Sequence, residues 1–260
     1  MFHFISPSSR IKGISKRFAI LILILAISIA VLGPNAVNAN RSVTSNSFVL
    51  ATNGEASVLD PAVAYDTASG EVIQNIYETL VFYDGANTNT FVPQLADSYS
   101  LSVDEKTWTF HIRSGVTFHN GASLTASDVA YTFQRGLLQS GSFSPQWLLT
   151  EAFFGIGTYD ISELLDPSGS LMDDRAALSA WDPDELLAVC EQVKTQIVAD
   201  DVAGTVTIQL EQPWGPFLGT ISQTWGSIMD KGWVIANGGW DDDCATWQNW
   251  YALNYDEDPF

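Results

Sequence analysis

The sequence predicts an α/β fold, because strand-like and helix-like stretches alternate along its 260 residues. Residues 106–113 alternate strictly: Trp108, Phe110 and Ile112 share one face and polar residues share the other, which is typical of a half-buried strand. Residues 205–211 repeat that pattern. Apolar residues recur at helical spacing after capping residues in three stretches, at residues 69–81, 125–137 and 182–197.

The first predicted elements are a short buried-type strand at residues 48–51 and a helix at residues 69–81. A polar turn and the sequence Leu59-Asp60-Pro61 separate them. Ser69 is the expected N-cap of the helix, whose apolar stripe includes Ile73 and Leu80.

A strand, a turn and a capped helix follow within residues 95–135. After the alternating strand, His119-Asn120-Gly121 predicts a turn, because Asn-Gly tolerates positive φ. Thr125 precedes Asp128 by three residues, the spacing of a capping box, so a helix is expected to start there.

Glycine and proline residues punctuate residues 139–180 and predict loops with short helices. Asp182 and Pro183 then form an N-cap and N1 pair that predicts the next helix. The strand at residues 205–211 follows, and apolar residues from Phe217 to Ile228 predict a helix packed on a sheet.

The N-terminus resembles a secretory signal peptide at residues 1–39. Four basic residues precede an apolar run from Phe18 to Leu32, and Val37-Asn38-Ala39 supplies small residues before a cleavage site after Ala39. An uncleaved N-terminal anchor is the alternative. Either way, we expect an exported protein, in the periplasm or outside the cell and associated with the cell surface.

The charge excludes some partners. The full sequence carries a net charge of −19, and removal of the leader takes away four of the 11 basic residues, leaving −23. Such a surface repels phosphate backbones and anionic lipids, so nucleic acid is not an expected partner.

Cys190 and Cys244 are the two cysteines, and an even count in an exported protein predicts a disulfide between them.

Residues 95–135 read LADSYSLSVDEKTWTFHIRSGVTFHNGASLTASDVAYTFQR, and this stretch resembles the signature of the family-5 extracellular solute-binding proteins. These proteins are peptide, nickel and oligosaccharide receptors of ABC importers. The resemblance implies a periplasmic-binding-protein-like (type II) lobe with an inserted β-rich subdomain. It places the first lobe at residues 40–86, the insertion at 87–211 and the return to the first lobe at 212–260, with the sequence truncated before the second lobe.

The resemblance also implies a ligand site. Residues at five positions would line the ligand cleft on the first-lobe side: Asn53, Glu55, Tyr65, Trp147 and Trp225. The expected ligand is an oligopeptide or an oligosaccharide, the expected partner is a membrane ABC permease, and we expect a monomer without cofactor or metal. Several of the nine tryptophans lie in polar or Gly/Pro-rich contexts where flat rings suit sugars or apolar side chains: Trp147, Trp181, Trp240, Trp247 and Trp250.

Two other functional classes stay open. The sequence has no GxSxG, HExxH, Walker A or CxxC motif, so we do not expect an enzyme, although a secreted hydrolase using carboxylates near the tryptophans is the main alternative. A sensor or chemoreceptor module with the same fold is the other. His111, His119 and Asp128 lack a metal-ligand spacing, and Asp241-Asp242-Asp243 is interpreted as a solvated acidic loop rather than a calcium site.

Overall fold

The computed structural model describes residue 51, residues 54–155 and residues 157–260. The predicted signal peptide, almost all of the predicted strand at residues 48–51, and Asn53 lie outside the described residues. Within the described part of the chain, no helix is both long and apolar enough to cross a membrane.

Helices and strands occur in mixed order, as an α/β chain requires. The helices are α1 (Thr67–Ile76), α2 (Ala126–Gln139), α3 (Trp147–Phe154), α4 (Arg175–Ser179), α5 (Pro183–Gln196), α6 (Phe217–Ile221) and α7 (Lys231–Ala236). The strands are β1 (Val81–Asp84), β2 (Asn87–Pro93), β3 (Ala96–Leu101), β4 (Thr107–Ile112), β5 (Ile197–Asp200) and β6 (Thr205–Gln209). Short 3₁₀ turns occupy Ile161–Leu164, Thr224–Gly226 and Trp247–Asn249.

Four strands form an antiparallel sheet in the order β3-β4-β6-β5. In its centre Trp108 lies opposite Ile208 and Phe110 lies opposite Val206. All four side chains are buried, so the two alternating stretches are confirmed as half-buried strands.

β1 and β2 form a separate antiparallel hairpin, which crosses the boundary predicted between residues 86 and 87. The division into lobe and inserted subdomain stays a prediction.

α2 is the central helix, and its start confirms the predicted capping box. Thr125 accepts the Asp128 backbone N–H, and the Asp128 side chain accepts from the Thr125 backbone in return. Nearly every residue of α2 is buried, since the helix packs against β5, β6, α3, α5 and α7. Its polar side chains therefore need partners: Gln134 Nε2, for example, donates to the Ile197 carbonyl at 2.8 Å.

α1 differs from the prediction at both ends. Asp66, rather than Ser69, is the N-cap, because its carboxylate accepts from the Ser69 backbone N–H. The Ser69 hydroxyl is fully buried and accepts instead from the Ser57 and Val58 backbone N–H groups, at 2.9 and 3.3 Å. The helix ends at Ile76, because Leu80 is already held in extended pairing with residues 94–96.

The helix predicted from Phe217 to Ile228 is also interrupted. α6 covers only Phe217–Ile221, and a separate 3₁₀ turn covers Thr224–Gly226. The chain folds back tightly here, so that a Cβ atom on Gly226 would lie 2.1 Å from the Ile221 carbonyl oxygen. A continuous helix cannot accommodate that reversal.

The segment after α7 is anchored to α5. The disulfide predicted from the cysteine count joins Cys190 to Cys244, with 5.4 Å between their Cα atoms. Asp242 accepts ion pairs from Lys194 at 2.8 Å and from Lys231 at 2.5 Å. The sequence suggested that this acidic loop is simply solvated. In the structure two lysines hold it through Asp242.

Candidate ligand-binding face

The four described residues of the predicted site lie in three segments. Glu55 is exposed in the irregular segment before Asp60. Tyr65, 48% exposed, directly precedes the α1 cap, and Trp147, 38% exposed, is the first residue of α3. Trp225 is half-buried in the 3₁₀ turn after α6.

The structure brings Tyr65 and Trp225 into contact, although 160 positions separate them. Their ring centroids are 6.2 Å apart and the planes meet at 74°, an edge-to-face arrangement. Trp225 Nε1–H is shielded from solvent and has no hydrogen-bond partner among the described residues. Glu55 and Trp147 make no ring contact or ion pair with Tyr65 or Trp225, so among the described residues of the predicted site the structure pairs Tyr65 with Trp225 alone.

Residue Gln146 connects the start of α3 to the same pair. Its side-chain Nε2 donates to the Trp225 carbonyl at 3.2 Å. Its backbone N–H donates to the Ser144 hydroxyl at 3.1 Å, and that hydroxyl donates to the Ala62 carbonyl at 2.7 Å. The loop before α1, the loop before α3 and the turn after α6 are thus held together by hydrogen bonds.

A second ring pair joins Phe143, in the loop before α3, to Tyr255, in the segment after the Trp247–Asn249 turn, and the sequence analysis did not identify it. Phe143 is half exposed, and its ring centroid is 6.2 Å from that of Tyr255. Tyr255 in turn packs against the small apolar cluster formed by Val58, Ala62, Val63, Ala64 and Ile73. We use the name aromatic patch for the partly exposed rings of Tyr65, Phe143, Trp147, Trp225 and Tyr255, among which Tyr65 contacts Trp225 and Phe143 contacts Tyr255. Phe143 and Tyr255 lie in irregular segments where no periodic pattern could have identified them.

Two of the tryptophans expected to suit a ligand are instead core residues. Trp240 and Trp247 are each 1% exposed. Trp240 stacks on Tyr131 with planes 8° apart, and Trp247 Nε1 donates to the Leu186 carbonyl at 2.9 Å. Both lie in the segment that the disulfide links to α5. This link is distant in sequence, and the polar residues next to each tryptophan gave no indication of its burial.

Two clefts flank the turn that carries Trp225. The first has a volume of about 430 Å³, and its polar lining includes Gln74, Glu78, Gln94 and Gln223. The second has a volume of about 440 Å³ and lies between β2, α6 and Trp225. Gln223 borders both, and its Nε2 donates to the Tyr83 hydroxyl at 2.9 Å. Both volumes fall within the range of small-molecule sites.

The chemistry of this region is aromatic, amide-rich and largely uncharged. In the part of the chain that the structure describes, no group of three histidine, cysteine or carboxylate side chains is arranged to hold a metal ion. What the region offers a ligand is flat apolar surface, side-chain amides and exposed backbone, which are the elements of a binding site.

Comparisons with known proteins give the family. Residues 90–252 match the family described as "Bacterial extracellular solute-binding proteins, family 5 Middle". "Uncharacterized protein YhjP" of Bacillus subtilis (strain 168) is 34% identical over 118 residues, which cover 45% of this chain and 20% of that protein. The "Probable D,D-dipeptide-binding periplasmic protein DdpA" of Escherichia coli (strain K12) is 34% identical over 133 residues, covering 50% of this chain and 24% of that protein.

A solved structure supports the fold. The chain superposes on the structure described as "The Structural characterization of Burkholderia pseudomallei OppA" with a TM-score of 0.51 at 20% identity. The superposition covers 72% of this chain and 31% of that one. The predicted fold class, an α/β type II periplasmic-binding-protein-like lobe, is confirmed at this level. The aligned part spans only about a fifth to a quarter of the two curated relatives. Since the family match extends over more than half of its residues, the chain belongs to the bacterial extracellular solute-binding proteins of family 5.

Proposed function

We propose that this chain supplies one side of the ligand site of an exported receptor for an ABC importer, and that its ligand is a short peptide. The receptor would hand the peptide to a membrane permease without altering it chemically. The observation that carries the proposal is the Tyr65–Trp225 contact, which joins two partly exposed aromatic rings. The name of DdpA, the dipeptide-binding relative, supports the ligand class.

The exposed backbone of the segment that leads to Tyr65 favours a peptide over an oligosaccharide. Glu55 and Ala56 are exposed and lie outside any helix or strand, and neither makes a backbone hydrogen bond to another described residue. An extended peptide can pair with such a segment as an added strand, while aromatic rings accommodate its side chains. A sugar would use the rings but leave this backbone unpaired. The oligosaccharide alternative therefore uses fewer of the groups on this face.

Capture would follow from closure of two lobes around the ligand. A ligand that contacts both lobes only in the closed state shifts the equilibrium toward closure by its differential affinity. Residues 40–260 supply one set of those contacts, so we expect only weak, roughly millimolar peptide binding by this chain alone.

The test is an NMR titration of the chain with di-, tri- and tetrapeptides, observing the tryptophan indole N–H signals. We expect the Trp225 signal to shift first, and Trp225→Ala to abolish the response of neighbouring residues. Trp181→Ala is the matched control, because Trp181 is a half-buried tryptophan whose Nε1 donates to Glu185, away from the patch.

The other readings give different results. Shifts caused by oligosaccharides and not by peptides would overturn the ligand class. Micromolar peptide affinity in this chain would contradict the two-lobe mechanism. Turnover of a chromogenic glycoside, abolished by a single carboxylate substitution, would indicate the hydrolase. A purified membrane signalling partner that binds in place of a permease would indicate the sensor.

A further inference from the structure

The segment of residues 254–260 closes over a buried ion pair. The Phe260 carbonyl accepts the Leu59 backbone N–H at 3.3 Å. The Phe260 ring lies 5.3 Å from the Arg135 guanidinium and 5.2 Å from the Trp233 ring. Beneath it, Arg135 Nη1 donates to Asp60 Oδ1 at 2.9 Å, and both side chains are almost completely shielded from solvent.

Two carboxylates meet one guanidinium here: Asp60 and Arg135 are almost fully buried, and Asp258 is half-buried. Both terminal nitrogens of Arg135 are used by Asp60. Asp258 Oδ1 accepts the Phe260 backbone N–H at 2.9 Å, while Asp258 Oδ2 is buried without a hydrogen-bond partner among the described residues. An ionised carboxylate with one oxygen buried and lacking a donor is costly, and an adjacent carboxylate makes it costlier. A proton on Asp258 removes both difficulties, because the protonated oxygen can donate to Asp60.

The pKa values agree with this geometry. Burial, followed by the charge of Asp60, raises the pKa of Asp258 to about 7. Burial opposes ionisation of Asp60 as well, but the charge and hydrogen bonds of Arg135 outweigh it and hold the pKa of Asp60 below its usual value. The proton of the pair therefore resides on Asp258.

Other charged groups nearby already have partners or stay uncharged. Burial, then the charge of Asp60, raises the pKa of Tyr77 to about 12, so Tyr77 stays neutral at physiological pH. On the segment itself, Glu257 pairs with Arg175 at 2.8 Å, and Asp256 is exposed. At the start of α7, Lys231 pairs with Asp242, and Asp230 accepts the Trp233 backbone N–H at 3.0 Å.

We propose that residues 254–260 form a proton-controlled latch, docked onto the loop at residues 58–65 when Asp258 is protonated and released when Asp258 ionises. Docking joins Leu59 to Phe260 and brings Tyr255 against Phe143 in the aromatic patch. Release would remove Tyr255 from the patch. This effect on ligand binding rests on the function proposed above, whereas the latch itself does not.

Amide hydrogen exchange tests the latch without any ligand. Among the described residues the Leu59 N–H donates to Phe260 alone, so its protection factor, corrected for intrinsic exchange, reports docking directly. In the wild-type chain we expect that factor to fall about tenfold per pH unit between about pH 4 and pH 7. Asp258→Asn should show no such fall. Asp256→Asn, which removes the same charge from an exposed position of the segment, should behave as wild type.

A carboxyl carbon-13 NMR titration of Asp258 in the wild-type chain gives a second measurement that needs no variant to fold. A midpoint near pH 7 supports the latch, and a midpoint near pH 4 overturns it. The same pH slope in Asp258→Asn as in wild type, or a flat wild-type profile, also overturns it. Because no ligand is present, failure here leaves the proposed function untouched, and failure of peptide binding leaves the latch untouched.

Discussion

Arg135 donates through both terminal guanidinium nitrogens to the two carboxylate oxygens of Asp60, although 75 positions separate the two residues. The pair ties the loop before α1 to the middle of α2, and their side chains are 2% and 0% exposed. The third nitrogen, Arg135 Nε, has no hydrogen-bond partner among the described residues. A buried pair of this kind contributes little net stability beyond an apolar substitute, but breaking it leaves an uncompensated buried charge.

Arg135→Met should therefore destabilise the chain by about 3–5 kcal/mol, because the carboxylate of Asp60 would remain buried without a counter-charge. Urea unfolding followed by circular dichroism gives the free energy of unfolding. Arg175→Met is the control: its pair with Glu257 is 31% and 41% exposed, and we expect a loss of less than about 1 kcal/mol. Equal losses in the two variants would contradict this account of the buried pair.

Reduction of the Cys190–Cys244 disulfide should destabilise the chain by about 4 kcal/mol, since the bond closes a loop of 54 residues in the unfolded state. The lost constraint would act on the segment that buries Trp240 and Trp247. Thermal unfolding with and without dithiothreitol measures the effect. The double variant Cys190→Ala, Cys244→Ala should unfold at the lower temperature and be insensitive to dithiothreitol; a wild-type chain equally insensitive would show that the bond is unimportant.

Two glycines should respond to alanine in opposite directions. On Gly226 the new Cβ would meet the Ile221 carbonyl oxygen at 2.1 Å, a backbone atom that cannot move aside, so Gly226→Ala should destabilise by about 2–3 kcal/mol. On Gly70, inside α1, the nearest atom is a Thr224 methyl at 3.8 Å, so Gly70→Ala should stabilise by about 0.5–1 kcal/mol. Chemical denaturation gives the free energy of unfolding of both variants. A stabilising effect of Gly226→Ala would contradict the close approach of residue 226 to the Ile221 carbonyl oxygen.

The elements predicted well from the sequence are those whose signals are local. The capping box at Thr125 and Asp128, the Asp182-Pro183 helix start and the alternation around Phe110 each involve residues within a few positions of one another. Such patterns are fixed by short-range sterics and hydrogen bonding. The prediction of Ser69 as the α1 cap was wrong, because Asp66 caps the helix and the Ser69 hydroxyl is used in a contact with the distant Ser57.

The candidate site was predicted only in part, because it depends on distant contacts between irregular segments. Tyr65 and Trp225 were identified from the family resemblance, and the structure pairs them. Phe143 and Tyr255 were not identified, since neither lies on a periodic element. Trp240 gave the converse error: its acidic neighbours suggested exposure, but Tyr131 and the disulfide hold it in the core.

The coupling between Asp60 and Asp258 gives a final prediction about pH. The pKa of Asp258 is raised in the folded state, so the folded state binds more protons than the unfolded state between the usual value of 3.8 and about 7. Stability is therefore fully present below that window and decreases as the pH rises through it. Asp60 contributes a pH dependence of the opposite sign. Because its pKa is lowered in the folded state, the stability that it contributes is lost as the pH falls below 3.8.

Asp60→Asn should lower the pKa of Asp258, because it removes the neighbouring negative charge and leaves Arg135 free to pair with the remaining carboxylate. The carbon-13 titration midpoint of Asp258 should move from near pH 7 toward acid pH, and the loss of Leu59 protection should move with it. Glu257→Gln is the control, since it removes a charge from the same segment that pairs with Arg175 instead. An Asp258 midpoint unchanged by Asp60→Asn would show that burial alone sets its protonation and that the two carboxylates titrate independently.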